Sequence, residues 1–459
     1  MTAKFETNPT QPKHQKAVLR TEVPGPQSRA LREQEDRHLA PGLQGFALMS
    51  GMVVEDARGS AVTDIDGNTY LDIIGGIGVN GLGHSHPRFV NAVKAQVEKA
   101  SVGSFTSRAR VELFETISKN RPSEKVHRTQ LYSSGAEAVE SALRLAKCAT
   151  GKTGLVSFWG GFHGKTMGAL SLMGSDFKDQ FGPFVPDSHT ARYPHPYHCP
   201  EGMNADTFAE ACLDDLRKHL KGTANTAAII VEPMQGTAGN VIPSDSFLPG
   251  VASIAKEVGA LLIVDEMITG FGRTGKYWGL QHSGVTPDIV TLGKQFGGGF
   301  PISALISTDE ITSAKPWSNP SGSSSSYGGN PLAAAAANES LKIIAEENLV
   351  ENSRVVGAYF LEQLKPFADR YPFIGEARGR GLFLALEMVK DKRSKQPLTK
   401  PVTNRIFGEC LKRGLLTMAY ASSFRIQPAM TIDKGTVDEV IQILREVFDF
   451  VEKDGFWKV

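Results

Sequence analysis

An excess of one charge is missing from this 459-residue chain, in which 50 lysines and arginines face 49 aspartates and glutamates. No net field therefore draws it to nucleic acid or to an anionic membrane. Long apolar runs are missing too: nothing approaches the roughly 20 residues that a helix needs to cross a bilayer. The polar first thirty residues, with Pro9, Pro12, Pro24 and Pro26, hold no apolar signal core. Cysteine is scarce. Cys148, Cys199, Cys212 and Cys410 form no CxxC pair, which fits free thiols in a reducing compartment and offers no zinc motif. The stretch "HPYHCP", with His195, His198 and Cys199, has no second ligand cluster to join it, and no metal is expected. No GxGxxG follows the first strand-like run, which argues against a dinucleotide-binding oxidoreductase. These absences predict a cytoplasmic protein whose partners are small molecules, with neither nucleic acid nor membrane among them.

What is present is ordinary globular material, 41% hydrophobic and 22% charged, over a length that holds more than one domain. Residues 1 to about 35 read as an extended arm. In "VVEDARGSAVTDIDGNTYLD" two short strand segments flank "DIDGN", a hairpin signal. Beyond it the runs "TQLYSS", "TGLVSF", "AAIIVEP", "ALLIVDE" and "DIVTLGK" alternate with helix-like stretches such as "EAVESALRLAK", whose Val139, Ala142, Leu143 and Ala146 recur at helical spacing. That alternation predicts an α/β fold with a mostly parallel sheet flanked by helices. The serine- and glycine-rich "SGSSSSYGGN" at 321–330 interrupts the pattern, and "FIGEARGRGLFLALEMV" beyond it predicts a smaller α/β lobe.

Chemistry gathers at strand ends. The run "ALLIVDE" is apolar enough for a strand covered on both faces, yet it stops at Asp265 and Glu266. A carboxylate there is costly unless a cation or hydrogen-bond donors hold it, so Asp265 is either a structural ion pair or the partner of a positive ligand. Ligands in open α/β sheets sit at the carboxyl ends of strands. Lys294 ends the next run and precedes three glycines closely in "TLGKQFGGGFP", an apolar setting that favours a nucleophilic amine. Alone it would read as a surface lysine. Taken with Asp265 it presents one amine and one acid to a crevice, and pyridoxal phosphate, with an aldehyde opposite a pyridinium nitrogen, asks for those two groups. "LYSSGAEAVESALRLAK" supplies a phosphate cradle, a turn before a helix whose candidate contacts are Ser134, Gly135 and Ala136. Phe162, after the strand "TGLVSF", is placed to stack on a planar ring, with core packing as its bland alternative.

These residues carry a resemblance. "GLGHSHP", "SSGAEAVESA", "FHGKT", "VEPMQG", "VDEMITGFGRTG", "PDIVTLGK", "YGGNPLA" and "RGRGL" resemble, in order and over nearly the whole chain, the class III (ω-amino acid type) pyridoxal-phosphate aminotransferases of fold type I. The separation of 29 residues between Asp265 and Lys294 is also that family's. The resemblance implies a large cofactor domain at 66–330 and a smaller α/β domain built from 1–65, which includes the arm, and 331–459. It implies a homodimer, with a tetramer as the alternative assembly. It makes Lys294 the Schiff-base lysine and general base and Asp265 the pyridinium partner. Phe162 then covers one ring face, Met267 the other, and His163 sits near the ring.

Four positions depart from the family pattern. Ser326 stands where many members carry a threonine that reaches the phosphate of the neighbouring subunit, and it keeps the hydroxyl. Met267 and Ile268 replace the valine and glutamine of "DEVQTG" versions. Thr237 occupies the place of the glutamate that, in ornithine and 4-aminobutyrate aminotransferases, pairs with the substrate-binding arginine, matched here by Arg425. Arg425 can hold a carboxylate bidentately, and a mobile loop is expected around it. The implied function is transfer of an amino group from an ω-amine or ω-amino acid to a keto acid, pyruvate before 2-oxoglutarate. Dialkylglycine decarboxylases, amino-acid epimerases and amino-phosphate lyases of the same scaffold are the alternatives.

Overall fold

The computed structural model describes residues 14–221 and 225–458, so the part of the expected arm at 1–13, with Pro9 and Pro12, lies outside the described residues. The rest of that arm is not extended throughout. Pro26–Asp36 is a helix with proline at its start, and Arg32 pairs with Glu35 and Asp36 along it. At the first helical turn the missing N–H of proline costs nothing and its fixed φ suits the helix.

Three strands follow, β1 (Val54–Arg58), β2 (Ala61–Asp64) and β3 (Thr69–Asp72). β2 and β3 form the hairpin signalled by "DIDGN", with Val62 opposite Tyr70. The Asp64 carboxylate accepts the amides of Asp66 and Asn68, which closes the turn from within.

By its contacts the chain groups into two units, Ala92–Lys342 and the pair of segments Met1–Asn91 with Ile343–Val459. In the first unit β4 (Arg128–Tyr132), β5 (Gly154–Phe158), β6 (Ser188–Ala191), β7 (Thr226–Val231), β8 (Leu261–Asp265), β9 (Ile289–Leu292) and β10 (Ser303–Ser307) build one sheet. Their order is β4-β10-β9-β8-β7-β5-β6. The pairs from β6 to β9 are parallel, while β10 runs antiparallel to both its neighbours. Strands covered on both faces want apolar residues throughout, and every residue of β5, β7 and β9 is buried. The helix Gly135–Thr150 lays Ala138, Val139, Ala142, Leu143, Leu145 and Ala146 into the core that includes Ile230, Ile263 and Leu305. Each large apolar side chain buried this way contributes roughly 1.5–3 kcal/mol. Truncating Leu145, which is fully buried, to alanine would cost about 2–5 kcal/mol.

In the second unit β11 (Ile374–Arg380) pairs with β12 (Phe383–Asp391), as "FIGEARGRGLFLALEMV" suggests; β13 (Gln396–Pro397) also pairs with β12. β14 (Leu415–Leu416) runs parallel to β3, placing Leu415 opposite Leu71 and binding the two chain segments into one unit. β15 (Ser423–Ile426) lies on the other edge of β12.

Candidate active site

Strands β7, β8 and β9 are mutually parallel, so the acids and the amine that follow them share one edge of the sheet. Glu232 follows β7, Asp265 ends β8, and Lys294 comes two residues after β9. Asp265 is 1% exposed; its Oδ2 lies 2.7 Å from His163 Nδ1, and its Oδ1 accepts the Met267 amide N–H at 3.0 Å. Burial disfavours the His163 imidazolium, yet the hydrogen bond and charge of Asp265, with the charge of Glu232, hold it above the ordinary histidine range. Asp265 and His163 are thus brought together.

The neighbouring acid does something else. Glu266 accepts the Thr269 hydroxyl at 2.5 Å and the amides of Gly279 and Leu280 at 2.9 and 2.6 Å. It pins the loop after β8 in place. Burial pushes its carboxyl up to about 7, against the pull of those three donors.

Lys294 opens the short 3₁₀ turn Lys294–Gly297 at φ +48°, a left-handed conformation that a side chain with a Cβ adopts at a cost of about 1–2 kcal/mol. Its neighbour Gln295 holds the strain from both sides: the side-chain amide donates to the Gly270 carbonyl, and the Gln295 carbonyl accepts the Ser340 hydroxyl at 2.9 Å. Strain kept in this way is a mark of functional positions. Met267 fits against two glycines, because a Cβ on Gly135 would lie 2.9 Å from its sulfur and a Cβ on Gly293 only 2.5 Å.

The helix Gly135–Thr150 begins with a capping box. Ser134 Oγ accepts the Glu137 amide at 3.3 Å, and Glu137 Oε2 accepts the amides of Ser133 and Ser134, each at 2.9 Å. The next amides, of Gly135 and Ala136, lie in the first turn, where no intrahelical acceptor exists and the positive end of the helix dipole suits a phosphate. Glu137 Oε1 also accepts the Ser325 hydroxyl at 3.1 Å, which ties the serine-rich stretch to this turn. Deeper in, the hydroxyls of Tyr132, Ser141 and Ser323 lie within 2.5–2.7 Å of one another, and the Trp317 indole N–H donates to Ser141 Oγ at 3.0 Å. Ser326 and Tyr327 are exposed on the rim of a cleft of about 430 Å³ that Glu137 and Arg144 also line.

Arg425 belongs to the other unit, where it is 8% exposed and lies opposite Ala385 in register. The expected mobile loop around it is corrected: Ser423–Ile426 is strand β15, hydrogen-bonded along β12. The alternation of Phe424 and Ile426, both fully buried, fixes that strand. It was too short to stand out in the sequence. Glu232 was missed as a site residue. The signal was available, since "AAIIVEP" ends a buried strand in an acid as "ALLIVDE" does.

Residues 46–448 match the family model described as aminotransferase class-III. The chain belongs to the class III aminotransferase family, and pyridoxal phosphate is the cofactor of that family. Among its relatives, the diaminobutyrate–2-oxoglutarate aminotransferase of Rhizobium meliloti is 34% identical, covering 87% of this chain and 88% of that protein. The 4-aminobutyrate aminotransferase of Escherichia coli is 33% identical, covering 88% and 95%. The solved structure of an amine transaminase from an uncultivated Pseudomonas species, in its pyridoxal-phosphate-bound form, superimposes with a TM-score of 0.85 at 30% identity, covering 90% of this chain and 98% of that one. The fold is therefore that of the fold type I transaminases. The residues present fit the cofactor: the amides at a helix start and the buried Asp265 are groups a phosphorylated pyridinium needs.

Proposed function

We propose that this aminotransferase takes the amino group of an ω-amine or ω-amino acid and delivers it to a keto acid, with pyruvate the favoured acceptor. The observation that carries the site assignment is the buried Asp265–His163 pair at the carboxyl end of β8. Asp265 holds the ring nitrogen protonated, and His163 keeps that carboxylate oriented. Phe162 and Met267 would flank the bound ring, the amides of Gly135 and Ala136 with Ser134 would hold its phosphate, and the Lys294 amine would hold its aldehyde end. Bound pyridoxal phosphate supplies the electron sink for the carbanion left when the substrate carbon loses its proton. Lys294 is the general base that removes this proton and returns it.

Thr237 supports the pyruvate reading. It is exposed and uncharged in a turn, and it cannot neutralise Arg425 as a glutamate would when a donor without a second carboxylate is bound. The second reading is 2-oxoglutarate, which the Rhizobium meliloti relative carries in its name. Decarboxylation, epimerisation and lyase chemistry are not favoured, since the family and the relatives above are aminotransferases. The test is a panel of amines offered with pyruvate or 2-oxoglutarate, reading alanine against glutamate formed. Faster alanine formation is expected, and faster glutamate formation would overturn the choice of acceptor.

Ser326 is proposed to reach the phosphate across a homodimer interface. Phe105 is 90% exposed, Tyr327 65% and Val102 59% in the same unit, large apolar surface that a second subunit would cover. A cytoplasmic location fits four free cysteines and the fact that no helix among the described residues is long and apolar enough to cross a membrane.

A further inference from the structure

We propose that Glu232 is a positioning residue of this site, which fixes the Phe162–His163 turn against the cofactor ring and places a second negative charge beside His163. The inference deepens the reading above and rests on Asp265 being the partner of the ring nitrogen.

Three observations carry it. Glu232 follows β7 and is 6% exposed, and its two oxygens have separate tasks: Oε1 accepts the Phe162 amide and Oε2 the Gly236 amide, each at 2.9 Å. Three residues on, the Gln235 side-chain amide donates to the Trp159 carbonyl at 2.9 Å. One segment thus holds both ends of the Trp159–His163 turn. The fit is close, since a Cβ on Gly160, at φ +82°, would strike Gln235 Oε1, and one on Gly161 would lie 3.2 Å from His163 Nε2.

The charges agree with the contacts. The titratable groups that act on Glu232 are His163 and Asp265, while the Tyr193 hydroxyl donates to its carbonyl at 3.2 Å. Burial lifts Glu232 above the ordinary carboxylate range, His163 opposes that shift and Asp265 adds to it. His163 in turn is held above its ordinary value by Asp265 and Glu232 together, against burial. The two acids favour the His163 imidazolium, and a buried acid whose oxygens receive backbone amides keeps its orientation.

The test compares Glu232→Gln and Glu232→Asp in the holoenzyme. Glutamine keeps the shape and removes the charge; aspartate keeps the charge and withdraws it by one methylene from the Phe162 amide. Ring-nitrogen NMR of histidine-labelled protein, with His163 assigned through His163→Gln, reads the His163 titration midpoint, and dialysis reads cofactor retention. Glu232→Gln should lower the midpoint by roughly one pH unit. Glu232→Asp should hold the midpoint near the parental value and weaken cofactor retention about tenfold, the effect of one lost hydrogen bond to a charged group. An unchanged midpoint in Glu232→Gln overturns the proposal. Should that variant not fold, parental cofactor retention in Glu232→Asp overturns it instead. Intact turnover in Asp265→Asn would sink the underlying reading and is scored separately.

Discussion

Asp265 and Glu266 are consecutive, both buried, and committed to different work: Asp265 meets His163 Nδ1 at 2.7 Å, while Glu266 takes the amides of Gly279 and Leu280. Successive side chains at a strand end point to opposite faces. One acid therefore meets His163 and the other fastens the loop that follows the strand.

Asp265→Asn should keep the cofactor and lose activity by a factor on the order of 10²–10⁴, the range for a positioned proton-holding group. Turnover and the visible absorption of the bound cofactor, measured on one preparation, decide it. Near-parental turnover with full cofactor content would contradict the role.

Glu266 gives a pH signature. Its folded value, about 7, lies above the ordinary 4.5, so the folded chain binds the proton more tightly than the unfolded one. That stabilisation is complete below pH 4.5 and fades as pH rises through 7. It amounts to a few kcal/mol at most, at about 1.4 kcal/mol per unit. Glu266→Gln leaves one backbone amide without its acceptor, at a cost of roughly 1–3 kcal/mol. In denaturant unfolding the stability gap between parent and variant should be wider at pH 5 than at pH 8. A gap that widens toward pH 8 would contradict the assignment.

Gly293→Ala should displace Met267, because the added Cβ would lie 2.5 Å from its sulfur. Overpacking of this kind costs about 1–3 kcal/mol. Cofactor affinity should fall in the single variant and recover in part when Met267→Ala is added. Additive losses in the double variant would show that the two residues do not compete for space.

Arg425→Ala should slow the keto-acid half-reaction by roughly 10- to 100-fold, the equivalent of a charge-assisted hydrogen bond, and leave a carboxylate-free amine nearly unaffected. Single-turnover spectra of each half separate the two. Equal losses would mean that Arg425 supports strand β15 and does not select the acceptor.

A Lys294→Ala subunit mixed with a Ser326→Ala subunit should recover activity if each site draws on both chains. One site in the hybrid then holds neither substitution. No recovery after demonstrated exchange of subunits would place Ser326 outside the site.

The strongest parts of this fold were legible because burial on both faces leaves no choice of residue: β5, β7, β8 and β9 each stand out as apolar runs. β6 and β10 did not. β6 is half-buried and polar, and β10 follows a glycine-rich turn with only a short apolar run. The site divided along the same line. Asp265 and Lys294 were readable as charges where an apolar strand stops. Glu232 carried the same mark but lacked a partner in sequence, because its contact with Phe162, 70 positions away, is brought about only by the folded sheet. Arg425 was legible as a residue type and misread in its setting.

The buried hydroxyls of Tyr132 and Ser323 meet across a separation of 191 positions in the chain. Contacts so distant in sequence carry the entropy of closing a long loop before they return any stabilisation. The bond between Tyr132 and Ser323 closes a loop that contains every strand from β5 to β10, so it costs little where those strands already hold the two ends near each other. The serine-rich stretch thus borrows its order from the sheet, and loosening β4 or β10 would free it as well.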